Sequence, residues 1–212
     1  MTRILVVDDH TLVRAGVARL LEAEEDIEVV GQTGSGHEAV ELARKLKPDV
    51  VILDYSLPDL DGLEATQQII AAVSGVRVLI LTMYANEEYA TRLIRAGAAG
   101  FMIKGASADE LLVAVRKVAR KGVYVSPSVQ EKMVTRIGQP QEDAPEAALS
   151  NREMQVLVRL GRGSTTREVS EALNLSLSTV ETYRSRILEK LNLRNNSDLT
   201  RFAIRRGLID ID

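Results

Sequence analysis

Five residues of this chain have side chains that could act together as one chemical site: Asp8, Asp9, Asp54, Thr82 and Lys104. Each ends or follows a short apolar run, among Ile4–Val7, Val50–Leu53, Val76–Leu81 and Gly100–Ile103. Singly, each has an ordinary role: a helix N-cap, a turn residue, a β-former, a solvated charge. Their conjunction is different. Three carboxylates in one crevice repel one another unless a cation sits among them. Their hard oxygens suit Mg²⁺, which keeps several waters and binds through one or two carboxylates plus a phosphate-like group. A lysine and a hydroxyl nearby would complete a cradle for a phosphoryl group. Asp54 would then be a nucleophile, forming an aspartyl phosphate, a high-energy mixed anhydride.

The elements that must position these residues are legible as a repeat. A fifth apolar run, Ile27–Val30, joins the four above, and Val/Ile-rich runs without period-2 alternation suit strands buried on both faces of a parallel sheet. Helical patterns lie between them, near 11–23, 36–46, 62–73, 86–96 and 107–121. Two begin with a capping-box spacing, Asp61-x-x-Glu64 and Ser107-x-x-Glu110. Five βα repeats predict an α/β, doubly wound, five-stranded parallel sheet over residues 1–122. Ligands of such sheets bind beyond the C-terminal strand ends, at a topological switch point, where the five residues fall.

The chain of 212 residues is long enough for two domains. Cysteine is absent, which excludes disulfides, thiolate metal sites and thiol nucleophiles. Aromatic residues are 3% with no Trp, so stacking on bases is not expected to be the main binding device. MTRILVVDDH is neither a signal peptide nor a membrane span, and the expectation is a soluble cytoplasmic protein without membrane contact. Residues 1–122 hold 14 Lys+Arg against 18 Asp+Glu; residues 148–212 hold 11 against 8, a basic segment on a chain of net charge -3. That asymmetry hints at nucleic-acid contact near the C-terminus.

After Ser126-Pro127 a helical stretch is expected at 128–137, then an exposed linker, GQPQEDAPEA (138–147); residues 123–147 are thus an extension and linker. Residues 148–212 read as all-helical. Ser150-x-x-Glu153 caps a first helix running to about Leu160, followed by helices near 166–173, 177–191 and 196–206. The second and third, joined by Asn174-Leu175-Ser176, have helix-turn-helix spacing. Val180, Ile187 and Leu191 form the apolar stripe of the long helix, with Leu188 beside them. Thr182, Ser185, Arg186 and Glu189 then point away. A plain helical bundle with a solvated face fits the pattern too.

VVDD (6–9), LDYSLPDLDG (53–62), LT (81–82) and MIK (102–104) resemble, in order and spacing, the receivers of bacterial two-component response regulators. The resemblance implies a flavodoxin-like strand order, 2-1-3-4-5, and that Asp54 accepts the phosphoryl group. Asp9, Asp54 and the Ser56 backbone carbonyl would ligate Mg²⁺, with Asp8 acting through water. Lys104 and Thr82 would each take a phosphoryl oxygen, and Phe101, at the aromatic switch position, would follow Thr82 inward. Pro58 and Gly62 match the family's loop. Gly105 stands where many receivers have proline, so a cis peptide after Lys104 is not assured. Ser56 and Tyr84 lie where the family tunes loss of the phosphoryl group.

Residues 149–209 resemble the LuxR-type domain of NarL/FixJ response regulators, with Glu153, Gly163, Glu168, Val169, Thr179, Val180 and Lys190-Leu191 on the family pattern. This implies a four-helix domain whose third helix enters the major groove and whose fourth pairs two subunits. The implied DNA contacts are Thr165, Thr166, Ser178, Thr179, Glu181, Thr182, Arg184, Ser185, Arg186 and Lys190. Glu181 stands where some relatives are basic, and could accept from a cytosine amino group. The implied partners are a sensor histidine kinase, double-stranded promoter DNA, a second copy of the chain and RNA polymerase. Two other readings differ in class. An aspartate-nucleophile phosphatase needs a second Asp two residues after the first, where this chain has Ser56. A C-terminal protein-interaction module would keep the receiver but not bind DNA.

Overall fold

The computed structural model describes the chain except for residues 61, 84–86, 138–144, 174, 207 and 210–212. Its contacts divide it into two compact units, Met1–Gln139 and Pro140–Asp212.

In the first unit the apolar runs become β1 (Thr2–Val7), β2 (Ile27–Thr33), β3 (Val50–Asp54), β4 (Arg77–Thr82) and β5 (Gly100–Ile103). All pair in parallel, as the βα repeats predict, and in the order β2-β1-β3-β4-β5 that the resemblance to receivers implies. β3 is buried at every position, which explains its lack of alternation. The crossovers are α1 (Thr11–Glu22), α2 (Gly36–Leu46), α3 (Gly62–Ala72) and α4 (Glu87–Arg95), and α5 (Ala108–Ala119) follows β5. Ile4, Val6, Val50, Ile52, Leu79 and Leu81 pack on one sheet face with Leu21 of α1 and Leu111, Val115 and Val118 of α5. Helices α2, α3 and α4, each touching the next, cover the other. Each fully buried Leu or Ile contributes ~1.5–3 kcal/mol, so the two-sided core fixes the strand ends firmly.

The sheet has a sixth strand that was not expected, β6 (Tyr124–Val125), beside β5. Two residues are too few to show a periodicity. What holds them is specific bonding: Tyr124 N donates to Ala99 O at 3.1 Å and Ser126 N to Phe101 O at 3.0 Å. The Tyr124 hydroxyl donates to Glu110 Oε1 at 2.5 Å. That bond also explains why the Ser107 capping box is only half formed. Ser107 Oγ accepts from Glu110 N at 3.2 Å, but the Glu110 carboxylate is drawn to Tyr124. Asp61, of the other expected box, lies outside the described residues. After β6, the expected helical stretch is α6 (Pro127–Ile137), which packs against α4 within the first unit.

The second unit contains α7 (Asn151–Gly161), α8 (Thr166–Leu173), α9 (Leu177–Lys190) and α10 (Asn196–Arg205), preceded by a 3-10 turn at Pro145–Ala148. The rest of the expected linker, 138–144, lies outside the described residues, as do Asn174 and Gly207. Caps set the helix starts. Ser150 and Glu153 form a complete capping box, Ser176 Oγ accepts from Thr179 N, and Asn195 Oδ1 accepts from Asp198 N. Val156 and Leu157 of α7, Val169 of α8, Val180 and Ile187 of α9 and Leu199 of α10 are completely buried. No helix among the described residues is long and apolar enough to cross a membrane.

Candidate functional site

β1 and β3 are neighbours with Val7 opposite Leu53, so Asp8 and Asp54 emerge side by side at the C-terminal edge. The chain order reverses at this pair of strands, because β2 lies outside β1 and β4 outside β3. This is the switch point at which such sheets bind ligands. Thr82, ending β4, is 1% exposed, and Lys104 follows β5, its backbone N donating to Thr82 O at 2.6 Å. The Lys104 ammonium reaches back across the edge. Its Nζ stands 2.8 Å from both Asp8 Oδ2 and Asp54 Oδ2. The five residues singled out in the sequence therefore line one strand-end edge.

Asp8 and Asp54 are each 2% exposed, whereas Asp9 is partly open to solvent. Burial pushes the Asp54 carboxyl above its ordinary value, against the pull of Lys104. Burial alone would lower the Lys104 ammonium, but Asp54 and Asp8 outweigh it and hold its pKa above the usual lysine value. The charges do not balance: three carboxylates face one ammonium, a deficit that a dication would fill. Ligand atoms of Asp8, Asp9, His10 and Asp54 lie within 4.8 Å of one another. The Oδ2 atoms of Asp8 and Asp54 accept no hydrogen bond of good geometry, although the lysine is close. Oxygen donors of this number and spacing suit a hard divalent cation.

The loop after β3 is held in shape by its neighbours. A Cβ on Gly62 would lie 2.7 Å from Tyr55 O and 2.9 Å from Tyr55 Cα, so only glycine fits there. Asp59 accepts from Ser35 Oγ at 2.5 Å, Gly36 N at 2.8 Å and His37 N at 3.1 Å, tying the loop to the start of α2. Ser56 N donates to Asp54 Oδ1 at 3.2 Å. No cis peptide occurs among the described residues, and Gly105 has φ 111°, a conformation closed to proline. Phe101, expected to follow Thr82 inward, is already completely buried. Tyr84 lies outside the described residues. Two participants went unnoticed in the sequence. Asp59 stands inside the LDYSLPDLDG motif without a role read for it, and His10 sits beside the acidic pair, where VDDH places a nitrogen donor next to two carboxylates.

In the second unit, α8 and α9 make the expected helix-turn-helix. Val180 and Ile187 are buried and Leu191 nearly so, leaving Ser178, Glu181, Thr182, Ser185 and Arg186 exposed on the outer side of α9. Thr166 is half-buried at the start of α8. Arg186 has no ion pair or hydrogen bond among the described residues, which leaves its guanidinium available. Several other candidates are engaged within the domain. Thr165 and Glu168 cap α8 reciprocally, with Thr165 N to Glu168 Oε2 at 2.7 Å and Glu168 N to Thr165 Oγ1 at 3.2 Å. Thr179 Oγ1 is 2.7 Å from Ser176 Oγ. Thr182 and Ser185 donate to the backbone carbonyls of Ser178 and Glu181. Arg184 Nε donates to Asn196 Oδ1 at 2.7 Å. Lys190 differs most from expectation: its Nζ donates to Glu153 Oε2 at 2.7 Å and to Ala148 O at 3.1 Å. A buried carboxylate needs a cation, and Lys190 supplies it. Burial raises the Glu153 pKa, but Lys190 and Ser150 outweigh it, and the carboxyl is held below its ordinary value.

Residues 4–116 match the response regulator receiver domain family, and residues 147–203 match the bacterial regulatory proteins of the luxR family. The response regulator GacA of Pseudomonas aeruginosa is 40% identical over 211 residues, covering 99% of each chain. The response regulator UvrY of Escherichia coli is 38% identical over 213 residues, covering 100% of this chain and 98% of its own. A solved structure of the response regulator RcsB in complex with DNA superposes with a TM-score of 0.60. It covers 95% of this chain and 96% of that one and, at 22% identity, speaks for the fold. The receiver match falls within the first compact unit and the luxR match within the second. The chain belongs to the two-component response regulators of the NarL/FixJ type, transcription regulators rather than enzymes, with a receiver followed by a LuxR-type helix-turn-helix domain.

Proposed function

We propose that Asp54 accepts a phosphoryl group from a sensor histidine kinase, and that this controls binding of the second unit to promoter DNA as a dimer. The observation that carries the reading is the bridge of Lys104 Nζ to Asp8 and Asp54 at 2.8 Å, at the switch point of the sheet. A carboxylate oxygen of Asp54 attacks phosphorus, the P–N bond of the kinase's phosphohistidine breaks, and its electron pair returns to the imidazole. When bound, Mg²⁺ supplies positive charge to the phosphoryl oxygens; Asp9, Asp54 and the Ser56 carbonyl would hold it, with Asp8 acting through water.

Lys104 is the proposed mobile partner. Its ammonium is shared between two carboxylates and is released toward a phosphoryl oxygen when Asp54 is modified. Thr82 turns its hydroxyl to another oxygen. Its movement alters packing around Phe101, which has no hydroxyl and acts by shape alone. The receiver surface that follows then favours a dimer, and the second half-site binds at high effective concentration. On DNA, α9 would lie in the major groove, with the exposed Arg186 reading phosphate or guanine. The luxR family match and the DNA-bound RcsB relative support this part. A cytoplasmic location and contact with RNA polymerase fit the same role.

Two measurements test the reading. Incubation with a labelled phosphodonor and Mg²⁺ should label the protein, and Asp54→Ala should abolish the signal; undiminished labelling would overturn the acceptor. A shift assay on promoter DNA should show tighter binding after phosphorylation. No binding in either state would favour a protein-interaction module instead.

A further inference from the structure

We propose that His10 gives the acidic pocket a nitrogen donor, so that the site takes first-row transition-metal dications such as Zn²⁺ and not only Mg²⁺. The inference rests on the reading of Asp8, Asp9 and Asp54 as a metal site. It concerns which ion that site selects.

Three observations place the imidazole in the site rather than beside it. His10 Nδ1 is 2.6 Å from Asp9 Oδ1 and 3.4 Å from Asp8 Oδ1. Its donor atom falls within the same 4.8 Å group as those of Asp8, Asp9 and Asp54. The backbone is fixed too, because His10 N donates to Asp8 Oδ1 at 2.9 Å and His10 is the N-cap residue of α1. At that N-cap the side chain makes no capping bond, so the ring is turned from the helix toward the carboxylates.

The chemistry follows from donor type. Carboxylates, carbonyls and water suit Mg²⁺, which dehydrates reluctantly, whereas imidazole favours Zn²⁺, Ni²⁺ and Fe²⁺. In the structure Nδ1 faces Asp9. Ligation requires the neutral ring with its proton on Nε2. The His10 side chain is 65% exposed, so Nε2–H can be satisfied by water in that tautomer. The ring can thereby replace a water on a nitrogen-preferring ion.

The chain contains only two histidines, His10 and His37, which makes the test direct. Full-length protein labelled with ¹⁵N-histidine is titrated with Zn²⁺ and separately with Mg²⁺, with calorimetry giving both affinities. The expected result is a Zn²⁺-dependent shift of His10 Nδ1 that fixes the Nε2–H tautomer, no such shift with Mg²⁺, and His37 unmoved. His10→Ser keeps a good N-cap and should lower the Zn²⁺/Mg²⁺ affinity ratio by roughly tenfold or more. Zn²⁺ binding with His10 Nδ1 unmoved, or an unchanged ratio in the variant, would overturn the inference while leaving the carboxylate site intact. Failure of both ions to bind would instead overturn the metal reading of the pocket, and this inference with it.

Discussion

The Lys104 ammonium sits 2.8 Å from Asp54 Oδ2 in a strand-end pocket where Asp54 is 2% exposed and the lysine side chain 9%. The acceptor carboxylate is thus paired, in the unmodified protein, with the cation proposed to bind its phosphoryl group. Removing that cation leaves Asp8 and Asp54 facing each other uncompensated. Breaking one partner of a buried ion pair is strongly destabilising, so Lys104→Ala should cost the receiver about 3 kcal/mol without divalent ions. Added Mg²⁺ should restore part of this, raising the variant's melting temperature more than that of the parent. Thermal unfolding at several Mg²⁺ concentrations measures both. Equal stability of the two proteins without metal would contradict a compensating role for Lys104.

Gly62 and Gly16 should respond in opposite directions to the same substitution. At Gly62 an added Cβ meets Tyr55 backbone atoms at 2.7 and 2.9 Å, so the acceptor loop must move. Overpacking of this kind costs ~1–3 kcal/mol, and Gly62→Ala should also slow phosphoryl labelling of Asp54. At Gly16, inside α1, nothing lies within 4 Å. Gly16→Ala should gain roughly 0.5–1 kcal/mol through helix propensity, with labelling unchanged. Urea midpoints paired with labelling rates separate the two cases.

What could be read from the sequence was whatever repeats or aligns with a strand end. Ile4–Val7 and Val50–Leu53 announce buried parallel strands, and their last residues then locate Asp8 and Asp54 without knowledge of side-chain contacts. Tyr124–Val125 was not readable as a strand, because its partners, Ala99 and Phe101, are local only in space. For the same reason the spacing points the Glu110 carboxylate to a cap, whereas the Tyr124 hydroxyl holds it. On α9 the burial of Val180 and Ile187 follows from helical spacing. The engagement of Lys190 depends on Glu153, 37 residues earlier, which no periodicity reports. Asp59 shows the limit too: its three donors come from the start of α2, brought near only by the sheet order.

Acid should weaken the second unit through Glu153. Its folded pKa lies below its ordinary value of 4.5, a depression set against burial by Lys190 and Ser150. A depressed carboxyl contributes stability that is present above the unfolded pKa and is lost as pH falls through the folded one. Near neutral pH, Glu153→Gln should cost roughly 1.5–3 kcal/mol, as for a lost charged hydrogen bond. The gap between parent and variant should narrow as pH drops below 4.5. Hydrogen exchange of α7 amides across that range reads it domain by domain. A gap that stays constant with pH would rule out the ion pair as its source.

Lys190 and Arg186 lie four positions apart near the C-terminal half of α9, yet should fail differently when removed. Lys190 donates to Glu153 and Ala148, so Lys190→Ala leaves a buried carboxylate unpaired and should lower the stability of the second unit. Its effect on DNA should be small once binding is measured where the domain is fully folded. Arg186 is exposed and holds no partner among the described residues. Arg186→Ala should leave unfolding unchanged and weaken DNA binding. If Arg186 meets phosphate, the slope of log affinity against log salt should fall by about 0.9; if it meets guanine, the loss should be ~1–3 kcal/mol at one base position with the slope little changed. Salt titrations on matched and single-base-changed sites distinguish these. Unaltered affinity and slope in Arg186→Ala, with a changed slope in stably folded Lys190→Ala, would reverse the two assignments.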